Sequence, residues 1–271
     1  MKHIQHYVIT RFSLNFKNFS PVFKNQNSEV FGEERLNKRI EVFKKTALQS
    51  IIGQSNKNFY WVIMIDSDLP KKFKDIMQSI INDYDNIFLY EHDKLRSLSG
   101  NYFLGVMKDY IPNEFYDEAE YIITTKLDDD DYFHPNTINV IQSQIDQNID
   151  MKFIAFKNGL LLQDETYYKF DYPINTGGIG IGLSLICKKM FSGKLNIYAP
   201  IHTKITEYID KYIDYAKTEF KILETTEPFW IYVRHQNQSS IFSKSAILRS
   251  QKLISYNYDD VKKIFKLWGK N

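Results

Sequence analysis

Residues 121–133 read YIITTKLDDDDYF, an apolar, β-branched run that passes without a break into four consecutive aspartates. Ile122, Ile123, Thr124, Thr125 and Leu127 suit a strand buried on both faces, and the aspartates stand where that strand would end. In open α/β sheets, ligands collect at the carboxyl edge of the strands. Two unit charges about 5 Å apart repel by roughly 3 kcal/mol at an effective dielectric of about 20, but by less than about 1 kcal/mol in open water. Four aspartates are therefore cheap on a solvated loop and costly in a cleft unless a cation offsets them. An acidic turn capping the helix from Pro135 is the plain alternative. The position of the run, straight after an isoleucine-rich strand, favours a hard-cation site.

On either side, strands and helices alternate. Residues 6–12, HYVITRF, predict a first strand, and residues 59–65, FYWVIMI, a second that ends at Asp66. Between them Leu36, Ile40, Phe43, Ala47 and Ile51 recur at helical steps, with Glu33 and Glu34 in the first turn and Gly53 past the end. Pro70 opens a helix whose stripe is Phe73, Ile76, Met77, Ile80, Ile81 and Tyr84, with Ser67 or Asp68 available as its cap. A strand over 87–90 and a helix over 99–110 precede the aspartate-bearing strand. Beyond it come a helix bearing Ile138, Ile141 and Ile145, a strand over 152–156, and a hairpin over 160–172 turning at Gln163, Asp164 and Glu165. A helix over 203–216 and a strand over 229–233 close the series. This alternation predicts an α/β fold with a mixed, mainly parallel sheet flanked by helices. Residues 1–240 read as one domain, and residues 241–271 as a helical extension packed on it.

Composition narrows the function. The chain has 271 residues, 43% of them hydrophobic, which excludes disorder. Its 35 basic residues face 33 acidic ones, so no bulk field argues for nucleic acid. The single cysteine, Cys187, rules out an internal disulfide and fits a reducing, cytoplasmic setting as a small core residue. No signal peptide is legible at the start, and no apolar run approaches the roughly 20 residues of a spanning helix. The tail over 241–271 has seven Lys or Arg against two Asp, with Phe265, Leu267 and Trp268 among them. It reads as a helix docked by its aromatics, with peripheral contact to a membrane surface as the minor alternative.

Parallel strands would bring Thr10, Arg11 and Phe12, Asp66, and the aspartates 128–131 to one edge. A nucleotide diphosphate needs aromatic stacking, a carboxylate or amide on the base edge, and a hard cation bridging its phosphates. Phe12, Asp66 and the pair Asp128 and Asp130 supply these in turn. An EF-hand fails, because Phe133 stands where glycine is needed and Asn139 where the bidentate Glu belongs. Residues 175–182, NTGGIGIG, hold four of the eleven glycines but lack dinucleotide spacing. They read as a turn needing positive φ or close approach, or as a loop bordering a ligand. His235 ends an apolar strand, where a structural histidine and a third metal ligand are both open readings.

The order strand, TRF, helix, strand ending in Asp, strand, then TTKLDDDD, with a late WIYVRHQN, resembles glycosyltransferases of the GT-A fold, and within them the rhamnosyltransferase-like family. The resemblance covers about residues 6–240. It implies a nucleotide-sugar donor, a glycan or lipid-linked glycan acceptor in polysaccharide biosynthesis, and Mn²⁺ or Mg²⁺ as cofactor, with inversion at the sugar. By position it implies Thr10, Arg11 and Phe12 beside the base, Asp66 on its edge and Arg96 near the base or phosphates. It further implies Asp128 at ribose and metal with Asp129 beside it, Asp130 on the metal, and His235 completing the coordination. Where related enzymes carry an acidic base, this chain has Pro200-Ile201-His202-Thr203. His202 as the base, Glu207 or Asp210 in its place, and His202 as a mere helix cap all stay open. The rival functions are a nucleotidyltransferase, which would carry a glycine-rich phosphate loop absent from residues 9–16, and an inactive sugar or metal binder on the same scaffold.

Overall fold

The structure is a computed structural model that describes residues 3–14, 30–92, 118–171, 180–192, 197, 210, 216–234 and 254–266. The expected helix over 99–110 and nearly all of that over 203–216 lie outside these residues. Seven strands build the larger sheet: β1 (Ile4–Phe12), β2 (Tyr60–Asp66), β3 (Ile87–His92), β4 (Tyr121–Lys126), β6 (Met151–Phe156), β9 (Ser184–Lys188) and β10 (Thr218–Leu223). Their order is β10-β6-β9-β4-β1-β2-β3. β4, β1, β2 and β3 pair in parallel, as do β6 and β10, while β9 runs antiparallel between β4 and β6. The mixed, mainly parallel sheet expected from the alternation is the one observed.

Its strands are apolar because both faces are covered. Phe12, Phe43, Trp61, Phe73 and Met77 join one core, and Tyr7, Ile9, Val62, Met64 and Leu185 another. Helices α1 (Glu33–Lys45), α2 (Ala47–Ile52) and α3 (Lys71–Ile81) bury Leu36, Ile40, Ile51 and Met77 in the first of these cores. α4 (Thr137–Ser143) adds Ile138 and Ile141. α5 (Lys189–Ser192) is a short turn of helix after β9.

Two local expectations are corrected. The helix expected through residue 51 breaks at Thr46, whose φ of −115° and ψ of −95° separate α1 from α2. The Thr46 hydroxyl donates back to the Val42 carbonyl at 2.7 Å and reaches the Asp129 carbonyl at 3.3 Å, a side-chain alternative to continuing the helix. The N-cap of α3 is Pro70, with no side-chain cap from Ser67 or Asp68. Asp66 Oδ1 instead accepts the Asp68 amide at 2.8 Å, closing a turn at the end of β2.

A second sheet has the order β12-β8-β7-β11-β5. It comprises β5 (Tyr132–Phe133), β7 (Asn158–Gln163), β8 (Thr166–Asp171), β11 (Trp230–Arg234) and β12 (Ile254–Tyr256). The expected hairpin is β7 and β8, turning through Asp164 and Glu165 at φ 48° and 61°. The basic tail enters this sheet as β12, hydrogen-bonded to β8, and continues as α6 (Tyr258–Phe265). α6 docks through buried Val261 and Phe265 with Lys262 and Lys263 exposed, while Leu267 and Trp268 lie outside the described residues.

Gly159 in β7 makes room for the Trp230 indole of the neighbouring strand β11. A Cβ there would lie 2.2 Å from the indole of Trp230, which is fully buried and donates through Nε1 to the Phe156 carbonyl at 3.1 Å. Gly159→Ala should therefore destabilise the fold by about 1–3 kcal/mol, and urea unfolding beside the parent protein measures it. An unchanged midpoint would show that the indole moves aside without cost.

Candidate functional site

β4 ends at Lys126, and the chain leaves it at the carboxyl edge of the larger sheet between β1 and β9. The four aspartates that follow divide by alternation. Asp129 turns to α1, where Arg39 donates from Nε to Oδ2 at 3.1 Å and from Nη2 to Oδ1. Asp131 Oδ1 accepts the Val233 amide of β11 at 3.1 Å. The odd-numbered pair thus ties the loop to a helix and to the second sheet. Asp128 and Asp130 are the other pair, two residues apart. Asp128 is the most open of the four, with Arg11 Nη2 3.6 Å from Oδ1 and Lys126 Nζ 3.8 Å from Oδ2.

Burial governs the charge here. It pushes the Asp129 carboxyl up to about 6, against the opposing Arg39 guanidinium, with Asp130 adding to the push. Burial, then Asp130 and Asp128, raise Asp131 well above the usual carboxylate range. For Arg39, burial pulls the other way, but Asp129, Asp130 and Asp128 outweigh it and the guanidinium holds its proton more tightly than usual. Among the described residues Arg39, Arg11 and Lys126 are cations within ion-pair distance of this loop, Arg39 at Asp129 and the other two at Asp128. Hard aspartate oxygens crowded at a strand end fit Mg²⁺ or Mn²⁺. Among the described residues no three His, Cys, Asp or Glu gather as a complete metal site. His235, expected as the third ligand, lies outside them.

A buried polar thread holds the adjoining glycine turn. His6 Nε2 and Thr125 Oγ1 are 2.8 Å apart, Thr125 Oγ1 and Ser184 Oγ are 2.8 Å apart, and Ser184 Oγ donates to the Gly182 carbonyl at 2.9 Å. Burial holds the His6 imidazole down at about 3, so it serves as a neutral partner. Gly182 has φ +71°, and a Cβ on Gly180 would lie 2.8 Å from Lys126 Nζ. Positive φ and close approach, both expected of this segment, occur in it.

The first strand departs from expectation. Thr10 is fully buried and accepts from Trp61 Nε1 at 2.8 Å. Phe12 is fully buried edge-on against Phe43, with ring centroids 5.8 Å apart. Both are core residues in this structure, where base-lining residues were expected, because β1 is an interior strand of the sheet, flanked by β4 and β2. Asp129, expected at the donor, is committed to Arg39. Arg11 does reach the edge and Asp128, while Asp66 stands at the end of β2 beside His92 in register. Ser13, next after β1, has φ 49° and a buried hydroxyl without a hydrogen-bond partner among the described residues. Arg96, His202 and Glu207 lie outside the described residues, and Asp210 is exposed. Sequence reasoning missed Arg39 and Lys126. Arg39 falls on the apolar stripe of Leu36, Ile40 and Phe43, and Lys126 in a strand buried on both faces, so each is a cation where a buried partner is needed.

The family described as "Putative rhamnosyl transferase" matches residues 5–225. The chain belongs to this family. Membership in the rhamnosyl transferase family places it among glycosyltransferases, as the TRF and LDDDD elements led one to expect. No curated protein matches it. Among solved structures it is similar to S. aureus TarS 1-349 in complex with UDP, at 11% identity and a TM-score of 0.47 over 86% of this chain and 61% of that one. It is also similar to a nucleotide-diphospho-sugar transferase from Desulfovibrio desulfuricans G20, at 10% identity and a TM-score of 0.40 over 84% of each chain. A third likeness is the inositol-1-phosphate CTP transferase from T. maritima, at 12% identity and a TM-score of 0.38 over 88% of this chain and 93% of that one. The chain spans about three fifths or less of the TarS chains it resembles. No helix among the described residues is long and apolar enough to cross a membrane.

Proposed function

We propose that this protein transfers a sugar, rhamnose by its family, from a nucleoside-diphosphate donor to an acceptor hydroxyl on a glycan or lipid-linked glycan, with inversion at the anomeric carbon. The observation that carries the reading is the division of the aspartates. Arg39 and the Val233 amide hold Asp129 and Asp131, and the alternate pair, Asp130 and Asp128 with Arg11 and Lys126 beside it, is spaced two residues apart at the strand end as suits a hard cation. Mn²⁺ or Mg²⁺, held by Asp128 and Asp130 with His235 completing the set, would offset the charge of the leaving diphosphate. Asp66 would accept from the base edge, with Arg11 and Arg96 toward the phosphates. His202 or Glu207 would take the acceptor's proton.

The test is thermal unfolding with UDP, GDP, TDP, CDP and ADP, each with and without Mn²⁺. A ligand at about 100 times its dissociation constant adds roughly 2.7 kcal/mol. The expected outcome is a shift for one nucleotide that needs the metal, followed by transfer from the matching nucleotide-sugar. If no pair shifts the transition, the donor site is wrong.

A further inference from the structure

Lys126 is a second, unassigned feature of this edge. It lies in β4, all six residues of which are buried, and its side chain is 9% exposed. In register it stands opposite Ile9, so its ammonium and the Arg11 guanidinium reach Asp128 from neighbouring strands. Their distances to Asp128, 3.8 and 3.6 Å, place both within ion-pair range of one carboxylate. The backbone of residue 126 is clamped to the glycine turn: its amide donates to the Leu183 carbonyl and its carbonyl accepts the Gly182 amide, each at 2.9 Å. The turn in return leaves space for the ammonium, since any side chain on Gly180 would begin 2.8 Å from Nζ.

Two cations converging on one carboxylate at the ligand edge of an α/β sheet form an arrangement an anion can enter. Lysine binds phosphate as a point charge, and a diphosphate presents more charge than a single carboxylate. We propose that Lys126, together with Arg11, seats the diphosphate of the donor through its phosphate oxygens, while Asp128, which both cations flank, would serve the divalent cation. Lys126 is then a binding residue for the leaving group, and Gly180 is glycine to admit it. This rests on the nucleoside-diphosphate donor proposed above.

The alternative role for Lys126 is to neutralise the aspartates so that the loop folds, and the two roles separate in Lys126→Met. The experiment measures, by calorimetry with Mn²⁺, the affinity for whichever of UDP, GDP, TDP, CDP or ADP binds the parent protein, and the melting temperature without ligand. A diphosphate seat predicts affinity weakened roughly 10- to 100-fold, the range for a hydrogen bond to a charged group. It also predicts a melting temperature within a degree or two of the parent protein's, because Asp128, the carboxylate that loses a partner, is 36% exposed and keeps Arg11 beside it. Lys126→Arg, which keeps the charge, should recover most of the affinity. Unchanged affinity overturns the inference, and so does a loss accompanied by a melting temperature several degrees lower. If the parent protein binds none of the five nucleotides, the proposed function falls and takes this inference with it.

Discussion

Arg39→Ala should lower folding stability by about 3–5 kcal/mol, the range for stripping one partner from a buried ion pair. Arg39 and Asp129 are 8% and 4% exposed, and the guanidinium meets the carboxylate through two nitrogens. Without it, Asp129 would be a buried anion beside Asp128 and Asp130. Urea unfolding in EDTA, which removes any bound metal, measures the loss. The loss should also shrink as pH falls. Burial already raises Asp129 to about 6, and removing Arg39 raises it further. A folded-state value above the unfolded one means that protonation relieves the penalty below it, so the deficit against the parent protein is larger at pH 8 than at pH 5. Replacing both residues, Arg39→Met with Asp129→Leu, should restore most of the stability. A deficit under about 1 kcal/mol at pH 8 would show that the pair does not anchor the loop.

Asp130→Ala should have the opposite profile, with transfer lost and the fold kept. If Asp130 ligates the cation that offsets the leaving diphosphate, several kcal/mol of transition-state stabilisation go with it, or roughly 10²- to 10³-fold in turnover. The metal-free protein should melt at the same temperature or higher, because one of four crowded carboxylates has been removed and Asp131 feels less repulsion. The contrast with its neighbour is the decisive part. Asp129→Ala should damage folding first, since it strands the buried Arg39 guanidinium. Parallel measurement of melting temperature and turnover for the two variants checks this. Equal profiles at 129 and 130 would end the alternation on which the proposed function rests.

Much of the architecture was legible in the residues. Residues 6–12, 59–65 and 121–127 are apolar runs of strand length, and each run lies in or within a residue of β1, β2 or β4. They are buried on both faces, which is why they lack polar alternation. The stripe in residues 71–81 and the Asp164–Glu165 turn followed from period and turn chemistry alone. The split at Thr46 was not legible, because it depends on a hydroxyl reaching Asp129, 83 residues away. The tail strand β12 was missed for a similar reason: its pairing with β8 joins segments some 85 residues apart, and edge strands of mixed exposure have no strong pattern.

The sequence alone determined that carboxylates stand at a strand end where ligands gather, because hydrophobic period and chain order are local properties. Which of them tie the loop to its neighbours was decided only by tertiary structure. Asp128, Asp129, Asp130 and Asp131 are chemically identical in the chain. They are told apart by Arg39, 90 residues before Asp129, and the Val233 amide, 102 residues beyond Asp131, partners that packing alone brings within hydrogen-bond distance.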